Sequence, residues 1–137
     1  QMACIFLIYE ASNALAWSDR IAIIKDGMII QVGSPQEVYD NPINSYVAEL
    51  TGDINWILDE NGNKNKFIRP EKLRLTKNEG KCKWKGKVSS IRFHGNHWEV
   101  QCQKGNQILS FYSRKNNLMV GEGIMLTYAP KDLKEME

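Results

Sequence analysis

Between Lys81 and Ser90 the chain alternates strictly. Lys81, Lys83, Lys85 and Lys87 fall on one side of an extended strand, and Cys82, Trp84, Gly86 and Val88 on the other. A helix would spread the lysines around its circumference, because its period is about 3.6 residues. A strand written this way has one wet face and one buried face, as in an antiparallel sheet lying over a core. The neighbouring segments repeat the theme. Phe67-Ile68 precedes a turn around Arg69-Pro70, and Leu73-Arg74-Leu75 follows it. His97 to Gln103, a turn at Lys104-Gly105-Asn106, Ile108 to Tyr112, and Ile124 to Tyr128 complete the set. Five or six short strands, with turns about every 8 to 12 residues, predict a small antiparallel barrel.

Before Gly52 the pattern differs. Residues 3 to 8, Ala-Cys-Ile-Phe-Leu-Ile, are continuously apolar, as in a strand buried on both faces of a parallel sheet. Glu10 to Asp19 reads as a helix with Ala14, Leu15 and Trp17 on its apolar side. Ile21 to Lys25 and Met28 to Val32 read as strands joined by an Asp26-Gly27 hairpin turn. Ser34 can cap a helix that has Pro35 at its first position and Glu37 closing a capping box. A second helix, Ser45 to Leu50, puts Tyr46, Val47 and Leu50 on one side and stops at Gly52. Asp59 to Lys66 is a polar loop turning at Asn61-Gly62. The expectation is a mixed α+β chain with a boundary near Gly52-Asp53.

The chain has 137 residues, enough for one domain or one domain plus a piece of another. A net charge of +2 gives no argument for nucleic acid or a membrane surface. The apolar run Met2 to Ile8 is far shorter than the roughly 20 residues of a spanning helix. It lacks the flanks of a signal peptide. Cys4, Cys82 and Cys102 are odd in number and far apart, which fits free thiols in a reducing compartment. Gln1 meets the apolar run with no polar lead-in, so a chain cut from something longer is expected.

Specific text carries a resemblance. ALAWSDRIAIIKDG (14–27) and IIQVGSPQEVYDNPINSYVAELTG (29–52) resemble the end of an ATP-binding-cassette (ABC) ATPase domain of the importer type. FIRPEKLRL (67–75), GKVSSIRFHGNHWEV (86–100) and VGEGIMLTYAPKDL (120–133) resemble the small transport-associated oligonucleotide-binding-like (TOBE) barrel that follows it. The resemblance implies a partial α/β remnant of the ATPase domain at 1–52, and an antiparallel OB-like β-barrel for dimerisation and regulation at 53–137. GDINWI (52–57) resembles the polyamine and iron(III) importer branches. The longer parent so implied is an ATPase using ATP and Mg, peripheral to the cytoplasmic face of the membrane, with a permease as partner.

This chain contains no G-x-x-x-x-G-K-[ST] loop, no Ser-Gly-Gly signature and no apolar strand ending in Asp-Glu. It is expected to bind no cofactor and to hydrolyse nothing. Tyr9 falls where the family has its switch histidine. A phenol with pKa about 10 can donate a hydrogen bond but cannot shuttle protons near neutrality. Tyr9 therefore marks a degenerate site in the parent, a phenol in the same contact, or an unselected change.

Asp19 and Arg20 read as a helix-end cap and a domain-internal ion pair. His94 and His97 flank a Gly-Asn turn with no third ligand nearby, so no metal is expected. The lysine comb and Trp84 face opposite ways, unlike a stacking platform, so no nucleic acid is expected. Arg69, Pro70 and Glu71, the Arg-Pro-Glu signature, are the candidate interaction and regulatory residues, with turn stabilisation as the plainer role.

The exposed apolar run predicts a homodimer through a swapped N-terminal strand. The alternative is a stand-alone module binding a small oxyanion or a nucleic acid. Titration with molybdate, sulfate and oligonucleotides separates the two.

Overall fold

The computed structural model describes residues 2–136, and the chain divides into two units, one ending at Asp53 and the other beginning at Ile54. In the first unit a short helix α1 (Ala11–Trp17) leads to the hairpin β1 (Ile21–Lys25) and β2 (Met28–Gly33), then to helices α2 (Pro35–Asp40) and α3 (Ser45–Thr51). Asp26 and Gly27 both take positive φ, 52° and 77°. That conformation matches the twist of a two-residue hairpin. The capping box closes in both directions: Ser34 Oγ accepts the Glu37 N–H at 3.2 Å, and the Glu37 carboxylate accepts the Ser34 N–H at 2.8 Å. These bonds, with a smaller contribution from the Arg20 charge, hold the Glu37 carboxyl below its usual pKa.

Ile23, Val38 and Val47 form the small core of this unit, with Ile21, Ile30 and Tyr46 packed around them. Asn44 caps α3 by accepting the Val47 N–H at 3.0 Å. Gln31 ties the loop after α2 to β2, donating to the Asn41 carbonyl at 3.0 Å and accepting the Ile43 N–H at 2.9 Å.

Two expectations fail here. Residues 3–8 form no strand and are exposed, with Ile5 fully so. A buried strand needs neighbours on both edges, and among the described residues β1 and β2 pair only with each other. Asp19 caps nothing at the end of α1. The helix ends at Trp17, and the Ser18 N–H closes it on the Ala14 carbonyl at 3.1 Å.

The second unit is built of antiparallel strands. They are β3 (Asn55–Leu58), β4 (Lys64–Ile68), β5 (Arg74–Thr76), β6 (Trp84–Phe93), β7 (Trp98–Lys104), β8 (Gln107–Ser113), β9 (Gly123–Thr127) and β10 (Lys134–Glu135). They make a three-stranded sheet, β10-β4-β3, and a five-stranded sheet, β5-β9-β6-β7-β8. Ile68, Leu73, Trp84, Val88, Val100, Cys102, Leu109, Phe111, Ile124 and Leu126 fill the core. Within β6 the alternation holds, with Trp84 and Val88 buried and Lys85 and Lys87 exposed, but the strand begins at Trp84 rather than Lys81, which closes a 3-10 turn. A bulge between Val88 and Ser90 bends β6. Its first half pairs with β9 and its second with β7.

Two segments of this unit copy each other. Arg69 and Ala129 are extended, Pro70 and Pro130 each open a 3-10 turn, and Leu73 and Leu133 each donate to that proline's carbonyl, at 3.2 and 3.3 Å. The strand after each turn pairs with the strand before the other: Phe67 faces Lys134, and Thr127 faces Arg74. This pseudo-twofold exchange stitches the two sheets into one body.

Candidate functional site

The Arg69-Pro70-Glu71 turn grows from β4, which sends Phe67 and Ile68 into the interior. Proline restricts the residue before it to extended backbone, and Arg69 sits at φ −71°, ψ 142°. The Lys72 N–H donates to the Arg69 carbonyl at 3.0 Å, which tightens the turn and drops Leu73 into the core. Pro70 is buried, Arg69 is only 5% exposed, and Glu71 is exposed. The Arg69 guanidinium carbon stands 5.9 Å from the Phe67 ring centroid. Arg69 and Pro70 are thus interior residues, and Glu71 is the one of the three that faces solvent. Tyr9 lies in the other unit, ahead of α1, and is 89% exposed.

Across from this turn lies β8, an edge of the five-stranded sheet. Asn55, itself buried, clamps it: Asn55 Nδ2 donates to the Ser110 carbonyl at 2.7 Å, and Asn55 Oδ1 accepts the Ser110 N–H at 2.7 Å. The side-chain amide stands in for a strand's peptide group. Gln107 Nε2 adds a bond to the Trp56 carbonyl at 2.9 Å. Sequence reading missed this pair. The available signal was a lone amide, Asn55, inside the apolar stretch Ile54 to Leu58.

The two edge strands, β5 and β8, flank a groove of about 350 Å³. Leu73, Leu75 and Phe111 supply its apolar walls, and Arg74, Arg114 and Lys115 its charges. Ser113 Oγ donates to the Lys115 carbonyl at 2.8 Å and accepts the Lys115 N–H at 3.2 Å, which fixes the turn carrying Arg114.

At the β6–β7 turn the His94 and His97 rings stack at 5.2 Å. His94 Nε2 lies 3.0 Å from the Glu99 carboxylate, and His97 packs 4.3 Å from Tyr112. Among the described residues no group of three His, Cys, Asp or Glu side chains is placed to hold a metal ion. Cys102 donates to the Leu109 carbonyl at 3.3 Å, and burial pushes its thiol up to about 12, far from a reactive thiolate.

Charge separates the units sharply. Through Asp53 the chain carries two Lys and Arg against seven Asp and Glu, a formal −5. From Ile54 onward it carries sixteen against nine, a formal +7. The whole-chain value of +2 conceals both.

The TOBE domain family matches residues 67–133. Over 96% of its length the chain is 28% identical to the spermidine/putrescine import ATP-binding protein PotA of Clostridioides difficile (strain 630). Over 97% it is 26% identical to the protein of the same name from Onion yellows phytoplasma (strain OY-M). The chain spans 44% and 37% of the lengths of these relatives.

Proposed function

We propose, from the match of residues 67–133 to the TOBE domain family and the similarity to two spermidine/putrescine import ATP-binding proteins, that the chain is the C-terminal regulatory and dimerisation portion of an ABC-importer ATP-binding subunit. The observation that carries the proposal is the reach of the similarity. It runs over 96% of the chain, and so through both units, against a single polyamine-import relative. In this reading the first unit is the closing segment of an ATPase domain and the second is its OB-like TOBE barrel. The full subunit uses ATP and Mg to drive polyamine uptake through a membrane permease, working at the cytoplasmic face.

The portion in hand acts by contact. It lacks the phosphate loop, and in this reading Tyr9 has no catalytic role in the portion alone. Within the Arg-Pro-Glu signature, Arg69 and Pro70 set the turn and Glu71 makes the outward contact. The exposed run Met2 to Ile8 pairs with a second copy. The excess positive charge of the TOBE unit repels polycations, so the polyamine is recognised elsewhere in the importer. The chain alone, with ATP and Mg, is expected to release no phosphate above background. Turnover by this chain would overturn the assignment.

A further inference from the structure

We propose that the groove between β5 and β8 binds an extended acidic segment of a partner protein. Three features converge on that occupant. The groove lies between the two strands that end the five-stranded sheet, and since Asn55 already takes the Ser110 backbone of β8, an occupant is held through side-chain contacts. Three cations line it, from β5 (Arg74) and from the turn after β8 (Arg114, Lys115), and among the described residues no carboxylate does. Beside the cations Leu75 offers an apolar surface, 41% exposed, above the buried Leu73 and Phe111.

A small oxyanion would leave most of 350 Å³ and all of the apolar wall unused. A segment alternating acidic and aliphatic residues uses both. Its carboxylates meet the guanidinium forks, which bind carboxylate in a bidentate way. Its aliphatic side chains, pointing the other way along an extended backbone, cover Leu75. The +7 charge of the unit draws such a segment in from a distance. This binding does not depend on the importer assignment.

The test uses the full chain and a fluorescein-labelled peptide of alternating Glu and Val, read by anisotropy. Saturable binding is expected, weakened about tenfold or more by the pair Arg74→Glu and Arg114→Glu. The control pair Lys85→Glu and Lys87→Glu changes the net charge equally but lies on the outer face of β6, and should leave affinity within about twofold. NMR shifts on binding should centre on Leu75, Phe111 and Ser113. Three results would overturn the proposal: no saturable binding, equal loss from both variant pairs, or shifts centred elsewhere. Tighter binding of a thymidine oligonucleotide in the same groove, or displacement of the peptide by equimolar sulfate, would also overturn it, by making the site one for nucleic acid or free oxyanion.

Discussion

A Cβ at Gly86 would stand 2.4 Å from two carbons of the Trp84 ring and 2.7 Å from the Gln103 carbonyl oxygen. The glycine is there because the tryptophan two residues earlier folds across the strand, and the neighbouring β7 backbone leaves no room on the other side. Gly86→Ala should therefore destabilise the second unit by about 1–3 kcal/mol, as overpacking does, measured by urea unfolding followed through Trp fluorescence. A change under a few tenths of a kcal/mol would mean the ring moves freely. Asn55→Ala presents the opposite problem, a lost partner. It leaves the Ser110 N–H and carbonyl without their amide, and should cost about 2–4 kcal/mol. The Ser110 amide should also lose hydrogen-exchange protection. Both sites show what the sequence can and cannot tell. The alternation that placed Trp84 inside is local and readable. The contact that makes Gly86 obligatory runs to β7, and the clamp from Asn55 reaches 55 positions along the chain to Ser110.

Among the elements, β10 is short, and its attachment is legible only in three dimensions. Lys134 and Glu135 pair with Phe67 and Lys66, and the Met136 N–H donates to the Asn65 carbonyl at 2.7 Å. A salt bridge, Lys66 to Glu135 at 2.8 Å, spans the pair. Its hydrogen bond and charge lower the Glu135 carboxyl below 4.5 and raise the Lys66 ammonium above 10.5. The sign follows for each partner. Glu135 contributes above its unfolded value and loses that contribution as pH falls through its lowered folded value. Lys66 contributes below its unfolded value and loses it as pH rises through its raised one. Docking of β10 should thus be flat between about pH 5 and 10 and loosen at both extremes. Hydrogen exchange at the Met136 amide reads it, and Glu135→Gln should flatten both limbs, since the same pair shifts both groups. The exposed pair is worth little in energy, so global unfolding should barely register the change. Short strands such as β3 and β10 escaped the sequence reading for the same reason. Their pairing is supplied by partners far along the chain rather than by their own pattern. The helices α2 and α3 announced themselves, since the Ser34-Glu37 box and the halt at Gly52 are written within a few residues. The run at 3–8 misled because its pattern specifies a buried environment that the described strands do not provide.

At the scale of the whole molecule, the division at Asp53 turns an unremarkable net charge into two opposed ones, −5 and +7. Association between copies therefore has two physical drivers with different signatures. Contacts between acidic and basic units weaken as salt rises. Pairing of the exposed apolar run, with Ile5, Phe6 and Leu7 open to solvent, holds or strengthens under the same conditions. The proposed dimer through the N-terminal segment belongs to the second kind. Light scattering coupled to size exclusion, at micromolar concentration and at two salt levels, tests it directly. The account predicts a particle of twice the chain mass at both salt levels, and a monomer once residues 2–8 are removed. A clean monomer of the full chain at micromolar concentration would contradict it.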